Sequence, residues 1–137
     1  AARYAELLRQ NPPDVCFMGV GENGHIAFND PPVADFSDPE TVKVVDLDDV
    51  CRAQQVNDGC FPTFDDVPER ALTLTIPTLF SATHVVCTVP GSTKAEAVRR
   101  MLTGAISEAC PASILRRHPS AKLFLDRDSA ALLQPGA

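Results

Sequence analysis

The chain has 137 residues, of which 45% are hydrophobic and 22% are charged, and this is the balance of an ordinary globular domain. Its formal net charge is -6 and its basic residues are scattered, which argues against nucleic acid as a partner. No apolar run approaches the ~18 residues that a membrane-spanning helix needs. The five cysteines form no C-x-x-C pair, so the sequence predicts unpaired thiols, no metal site and a cytoplasmic location.

The first predicted elements are a helix and a buried strand. Residues 1–10 place Tyr4 and Leu7 at helical spacing, and the two prolines that follow end this helix. The apolar run Val15–Val20 is typical of a strand that is covered on both faces, as in a parallel sheet. Because the chain opens on such a helix, we expect upstream sequence to be missing and the sheet to be incomplete on its N-terminal side.

The rest of the chain continues this alternation. Apolar and hydroxyl side chains alternate in Ala71–Ile76, which indicates a strand with one wetter face. The pattern as a whole predicts a single α/β domain with helices on both faces of its sheet. The predicted order is strand Val42–Val45, helix Leu47–Val56, strand Ala71–Ile76, a short helix to Ser81, strand His84–Val89, helix Thr93–Leu102, helical turns at Pro111–Arg117, strand Lys122–Leu125 and a terminal helix Ser129–Leu133 that frays through 134–136.

A glycine-rich segment after the first strand carries the candidate chemistry. Ligands of open α/β sheets bind beyond the carboxyl ends of the strands, and the glycines between 19 and 24 fall there without the spacing of a dinucleotide site. His25 follows, with Glu22, Asn23 and Asp30 close enough in sequence to orient it as a general acid and base. Equally, His25 could cap a turn and Asp30 could form one, and the spacing leaves both interpretations open.

A second glycine turn, at residues 90–94, lies between an apolar strand and a helix. Its exposed N–H groups and Lys94 at a helix start predict a seat for a phosphate group. The alternative is that one of its two hydroxyl residues caps the helix and that Lys94 is solvated. Two such turns after two strands favour one crevice for an anionic sugar, lined by His25, Asp30 and Lys94.

The segment Gly21–Pro31 resembles the signature G-x-x-G-H-I-A-F-N-E-P of the glucosamine-6-phosphate deaminase/isomerase family, which surrounds the family's catalytic histidine. The resemblance implies a Rossmann-like fold of the NagB/RpiA/CoA-transferase type. It also implies that glucosamine 6-phosphate and water are converted to fructose 6-phosphate and ammonia, without a metal, nucleotide or other cofactor. Further agreement lies at Val67-Pro68, Ala71–Thr73, Gly91-Ser92, Lys94-Ala95 and His118-Pro119, so the resemblance runs from about Val15 to Asp126.

The resemblance also implies roles for individual residues. His25 would be the proton shuttle that opens the sugar ring, and Asp30 stands where the family has a glutamate that supports the histidine. Asn23 occupies a position where deaminases commonly carry an aspartate. Lys94 matches the lysine that holds the substrate phosphate. The family's phosphate-binding arginine has no clear equivalent in the region Arg52 to Phe61, where Arg52 is the candidate substitute. The candidate residues are therefore His25, Asp30 and Asn23 for catalysis, and Gly24, Glu22, Lys94 and Arg52 for substrate binding.

Two parts of the family's site have no counterpart in this sequence, because the general-base aspartate and the first Gly-Ser-Thr phosphate loop both precede the matching segment. We therefore expect the chain to be the C-terminal part of a deaminase domain that is inactive alone, exposes apolar surface and belongs to a homo-oligomer. Two alternatives stay open. One is a hydrolase of the 6-phosphogluconolactonase type, and the other is a non-catalytic domain that senses sugar phosphates.

Overall fold

The computed structural model describes residues 1–133, which form two sheets with helices packed against them. The α/β class is therefore confirmed. The α-helices are α1 (Ala2–Gln10), α2 (Asp49–Asn57), α3 (Ile76–Phe80) and α4 (Ala95–Thr103), and the strands are β1 (Val15–Met18), β2 (Val42–Asp46), β3 (Arg70–Leu74), β4 (His84–Val89) and β5 (Ala121–Leu125). Single 3-10 helices span Phe64–Asp66, Ser92–Lys94 and Pro111–Arg117.

The main sheet has the order β1-β4-β5, and all of its pairings are parallel. Val15 pairs with His84 and Met18 pairs with Cys87, so β1 and β4 end at the same edge of the sheet. The loops that follow these two strands therefore leave from one edge, as expected of a ligand site in an open α/β sheet.

The core lies on one face of the main sheet. Val85, Cys87 and Val89 are at most 1% exposed and pack with residues of α3, α4 and the 3-10 helix at 111–117. On the other face, Phe17 is 78% exposed and Phe124 is 53% exposed. The expected cover on both faces of β1 is therefore not present in residues 1–133, where the strand has one half-buried and one exposed face.

The second sheet corrects the expectation for β3. It consists of β2 and β3, which pair antiparallel, with Val44 opposite Leu72. The hydroxyl-bearing face was expected to be the wetter one, yet Thr73 is only 2% exposed while Leu72 is 54% exposed. The reason is that the Thr73 hydroxyl accepts from the N–H of Phe28 in a neighbouring loop at 3.1 Å and donates to the carbonyl of Leu74, the next residue of β3, at 3.0 Å.

The predicted terminal helix at Ser129–Leu133 is also wrong, because these residues form turns. The Asp126 carboxylate accepts from the N–H of Ser129 at 2.7 Å and so competes with helical hydrogen bonding. Residues 134–136, where this helix was expected to fray, lie outside the described part of the chain. The helix predicted from Thr93 begins at Ala95, after a 3-10 turn.

Two general expectations can be compared with the described residues. In residues 1–133 there is no helix that is long and apolar enough to cross a membrane. All five cysteines are unpaired, as the spacing predicted, and only Cys60 is exposed.

Candidate active site

The turn that carries His25 is built on two glycines. The N–H of Gly21 donates to the carbonyl of His25 at 3.0 Å, and the N–H of Gly24 donates to the carbonyl of Gly21 at 2.9 Å. Gly24 has a φ of 92°, which glycine adopts without strain. A Cβ on Gly21 would lie 2.1 to 2.4 Å from atoms of the His25 ring, so only a glycine lets the imidazole lie against the backbone here.

His25 and Asp30 form a buried pair. Nδ1 of His25 lies 2.8 Å from Oδ1 of Asp30, and the two side chains are 10% and 1% exposed. This arrangement of a carboxylate behind an imidazole fixes the ring and leaves the second nitrogen, Nε2, for proton transfer. The structure therefore supports the interpretation of His25 as an acid/base group over that of a turn cap.

Asn23 bridges the two members of this pair. Its Oδ1 accepts from the backbone N–H of His25 at 2.9 Å and lies 2.8 Å from Nδ1, while its Nδ2 donates to Oδ1 of Asp30 at 2.9 Å. Both oxygens that face Nδ1 are acceptors, so Nδ1 carries a proton and the neutral ring is unprotonated at Nε2. The negative charge that contacts the ring is that of Asp30.

A tight turn at Ile26–Asn29 brings Asp30 back to the histidine. Ala27 has a φ of 48°, and Ile26 and Asn29 form an isolated β-bridge. The Asn29 side chain is buried and donates to the carbonyls of Ile26 and Leu74, both at 2.9 Å. The turn is thereby fastened to β3, and it places Asp30 at 0% exposure behind the imidazole.

One face of α2 also lies against the His25 turn. Asp48 caps the helix by accepting from the N–H of Cys51 at 2.8 Å, and its second oxygen is 3.5 Å from Nδ2 of Asn23. One turn along, the Cys51 side chain is fully buried beside Asp30. Two turns along, Oε1 of Gln54 accepts from the N–H of Glu22 at 2.9 Å. The spacing of three residues puts these side chains on one helix face.

Two groups at this centre have shifted pKa values. Burial raises the pKa of the Asp30 carboxyl, but hydrogen bonds from His25 and Asn23 outweigh it, so the pKa of Asp30 lies below its usual value. Burial and the charge of Asp30 raise the pKa of the Cys51 thiol to about 12. Asp30 is therefore a carboxylate and Cys51 a neutral thiol near pH 7.

A cavity of about 390 Å³ borders the histidine. Polar groups reach it from His25, Gln54 and Thr73, and apolar side chains such as Phe28 and Leu72 line the rest. Its volume is within the range of sites for small metabolites. The His25 ring thus faces a space that could hold a substrate.

The turn that carries Lys94 follows β4 at the same edge of the sheet. The Lys94 side chain is half-buried, and its charge has only a small lowering effect on the pKa of the Cys51 thiol. Of the three residues predicted to line one crevice, only His25 lines the cavity, because Asp30 is buried behind the ring and Lys94 is not part of the lining. The N–H of Gly91, expected to face a phosphate, donates instead to Oδ2 of Asp126 at 2.9 Å. Neither hydroxyl of this turn caps a helix, so the helix-cap alternative is wrong, whereas the phosphate site stays a prediction.

The other predicted binding residues have structural contacts. Arg52 donates to the carbonyls of Phe64 and Val67, both at 3.1 Å, and its guanidinium lies 4.0 Å from the centre of the Phe64 ring. Nη2 of Arg52 thereby holds the segment at 64–67, and a role of Arg52 in substrate binding stays a prediction. Glu22 contributes its backbone N–H, and Gly24 accepts from the N–H of Ala112 at 2.9 Å.

His25, Asp30 and Cys51 are also side chains of the types that bind transition metals, and their ligand atoms lie within 4.8 Å of one another. However, Nδ1 of His25 carries a proton that is directed at two acceptor oxygens. The thiol, with its raised pKa, keeps its proton too. The three residues therefore fit a hydrogen-bonded network better than a metal site.

Comparison with known proteins relates this geometry to a family. The model of the family described as glucosamine-6-phosphate isomerases/6-phosphogluconolactonase matches residues 1–124. The chain belongs to this family. Two family members are glucosamine-6-phosphate deaminases of Bacillus thuringiensis (strain Al Hakam) and Bacillus cereus (strain AH820), and each is 41% identical over 130 residues, which are 95% of this chain and 48% of the relative.

Solved structures agree with this assignment. A monomeric glucosamine-6-phosphate deaminase, described as a missing link of the NagB superfamily, is 39% identical with a TM-score of 0.87 over 96% of this chain and 53% of its own. A 6-phosphogluconolactonase from Trypanosoma brucei, 21% identical, has a TM-score of 0.69 over 97% of this chain and 52% of its own, which shows a shared fold alone. The chain spans about half the length of the curated relatives that it matches.

The sequence did not identify three residues of this candidate site, which are Asp48, Cys51 and Gln54. Their spacing of three residues along a predicted helix was visible, but the direction in which that face points depends on how α2 packs. The signal that could have found Asp48 is its position as a capping residue directly before a helix.

Proposed function

We propose that this chain carries the histidine acid/base centre of an enzyme that isomerises and deaminates glucosamine 6-phosphate to fructose 6-phosphate and ammonia. The observation that carries the proposal is the buried contact of 2.8 Å between His25 and Asp30 beside a cavity of about 390 Å³. The Bacillus relatives named as deaminases support the choice of reaction. This chain is far more similar in sequence to the deaminases than to the lactonases of known structure.

In this proposal His25 moves a proton in the opening of the sugar ring. With Nδ1–H held by Asp30, Nε2 accepts the proton of the anomeric hydroxyl and delivers it to the ring oxygen as the bond between that oxygen and the anomeric carbon breaks. Asp30 stabilises the imidazolium that exists between the two transfers. Asn23 holds both side chains in this orientation.

Lys94 binds the phosphate of the substrate in this proposal, since its turn follows β4 at the same edge of the sheet where the His25 turn follows β1. Glu22 and Gly24 act through the backbone of the turn and place His25. The ligand is a phosphorylated amino sugar, and no cofactor is needed for the proton transfers. Five unpaired thiols suit a cytoplasmic location, and a homo-oligomer remains a prediction.

The test is ammonia release from glucosamine 6-phosphate. It is measured for the 137-residue chain and for a fusion in which the N-terminal half of the Bacillus cereus relative precedes it. We expect release by the fusion alone, and its loss by at least about 100-fold on substitution His25→Gln, which removes the acid/base group. The matched control is His84→Gln, since His84 is exposed at the far end of β4.

Other outcomes would contradict the proposal. A folded fusion that hydrolyses 6-phosphogluconolactone but releases no ammonia would be a lactonase. A folded fusion that binds glucosamine 6-phosphate with neither activity would indicate a sensing domain. Turnover by the 137-residue chain alone would show that a general base lies within it, with Asp30 or Glu22 as first candidates.

A further inference from the structure

One oxygen of the Asp30 carboxylate has no hydrogen-bond partner among residues 1–133. Oδ1 is engaged by both His25 and Asn23, whereas Oδ2 is buried and no donor, sulfur included, is oriented to hydrogen-bond with it. A buried carboxylate oxygen without a donor is costly, and such oxygens in folded proteins nearly always have a partner. Asp30 is also 0% exposed, so bulk solvent does not supply one.

The Cys51 thiol is the donor that lies beside this carboxylate. Its side chain is 0% exposed, and its sulfur is within 4.8 Å of a carboxylate oxygen of Asp30 and of a His25 ring nitrogen. The cap formed by Asp48 fixes the first turn of α2 and directs Cys51 inward. With its pKa raised to about 12, the thiol holds its proton throughout the physiological range and can donate it.

We propose that a small rotation of the Cys51 side chain lets its S–H group donate to Oδ2 of Asp30, and that Cys51 is thereby a positioning residue for His25. A carboxylate held at one oxygen can rotate about its Cβ–Cγ bond and lose the in-plane contact with Nδ1. A donor at Oδ2 holds both oxygens, so Oδ1 stays directed at the imidazole. The catalytic consequence rests on the proposed function, whereas the hydrogen bond itself does not.

The test uses two variants of equal shape. Cys51→Thr keeps a donor at this position, and Cys51→Val replaces that donor by a methyl group and leaves no room for water. The readout in the 137-residue chain is the low-field proton resonance of the His25 Nδ1–H group, which reports its hydrogen bond to Asp30. We expect the resonance to be retained in Cys51→Thr and to be lost or moved upfield in Cys51→Val. The control Cys60→Val, at an exposed cysteine, should leave it unchanged.

Activity of the fusion adds a second readout. In Cys51→Val we expect kcat to fall about tenfold with KM unchanged. This is less than the ~100-fold loss of rate that a 1 Å misplacement of a catalytic group can cause, because the imidazole is displaced only in part. In Cys51→Thr we expect kcat to recover to within about twofold of the parent. A resonance that persists unchanged in Cys51→Val, or equal losses in both variants, would overturn the proposal.

If both variants fail to fold, a measurement on the parent chain still tests the hydrogen bond. Its infrared S–H stretching band should contain a component shifted to lower frequency, because a carboxylate acceptor weakens the S–H bond. That component should be absent from Asp30→Ala, and its persistence there, or its absence from the parent, would contradict the hydrogen bond. A parent fusion that shows the shifted band and the His25 resonance but releases no ammonia would refute the proposed function alone.

Discussion

At the scale of single residues, Gly21 is the position where a methyl group has the greatest predicted effect. A Cβ there would lie 2.1 Å from Cε1 of His25, so Gly21→Ala must displace the imidazole from Asp30. We expect ammonia release by the fusion to fall by at least ~100-fold, since a misplacement of 1 Å can cost that much. The control is Gly59→Ala, at an exposed turn away from the cavity, where an added Cβ would meet no atom within 4 Å. Equal activities of the two variants would contradict the prediction.

A second residue pair predicts how stability depends on pH. Nζ of Lys43 lies 2.6 Å from Oδ2 of Asp38, whose side chain is 8% exposed. Burial raises the pKa of the Asp38 carboxyl. The hydrogen bonds from Lys43 and from the Glu40 N–H have the larger, opposite effect, so the pKa lies below its usual value. Because the folded pKa is the lower one, this stabilisation is present above pH ~4 and is lost as the pH falls through the folded pKa.

We therefore expect Asp38→Asn to reduce the free energy of unfolding by about 1 to 3 kcal/mol near pH 7. The difference from the parent should vanish in acid, where the parent carboxyl is protonated too. Urea unfolding at several pH values measures it. Asp46→Asn, at an exposed position on β2, is the control and should differ little from the parent at any pH. A difference for Asp38→Asn that stays constant with pH would be inconsistent with the pair.

At the scale of elements, β3 supports the candidate site through one hydroxyl. The Thr73 Oγ1 accepts from the N–H of Phe28 at 3.1 Å and lies 3.4 Å from Nδ2 of Asn29. We expect Thr73→Val to lower the free energy of unfolding by about 1 to 3 kcal/mol, because a buried N–H loses its acceptor. Thr88→Val, on an exposed position of β4, should change it by less than about 0.5 kcal/mol. Thermal unfolding compares the two, and equal effects would show that this hydroxyl is unimportant.

The elements that sequence reasoning predicted well are those with strong local signals. The apolar run of β4, the helical spacing of α4 and the prolines that end α1 depend on neighbouring residues only. The pairing of His25 with Asp30 was predicted for a similar reason, since both residues belong to one turn. Family resemblance added the roles of these residues, which spacing alone left open.

The predictions that failed depended on contacts between distant segments. The face of β3 that is buried was decided by loops that need the Thr73 hydroxyl, and the N–H of Gly91 was taken by Asp126, which lies after β5. None of these partners can be recognised from sequence spacing, because each depends on how separate elements pack.

At the scale of the whole molecule, the open face of the main sheet predicts self-association. Phe17 is 78% exposed and Phe124 is 53% exposed on this face, and Val15 beside them is 43% exposed. Exposed apolar patches on soluble proteins commonly mark an interface. We expect the 137-residue chain to associate in sedimentation experiments, and the double variant Phe17→Ser, Phe124→Ser to associate at least about tenfold more weakly.

The control for this prediction is Tyr4→Ser, because Tyr4 is 46% exposed on α1. It should leave the association unchanged. A parent chain that is monomeric at all accessible concentrations would refute the prediction, and so would equal weakening by the control.

The register of the main sheet bears on the order in which the molecule folds. Val15 pairs with His84, so β1 must close a loop of about half the chain before it can dock. Val85 of β4 pairs with Ala121 of β5 across a shorter stretch of sequence, which contains α4 and the 3-10 helix at 111–117. Closing long loops is slow because their entropy is lost before any contact forms. We infer that β4, α4 and β5 form the folding nucleus and that β1 adds to it late, so its amides should exchange with solvent before those of β4. The turn that carries His25 directly follows β1, and the candidate site would therefore form in the last step of folding.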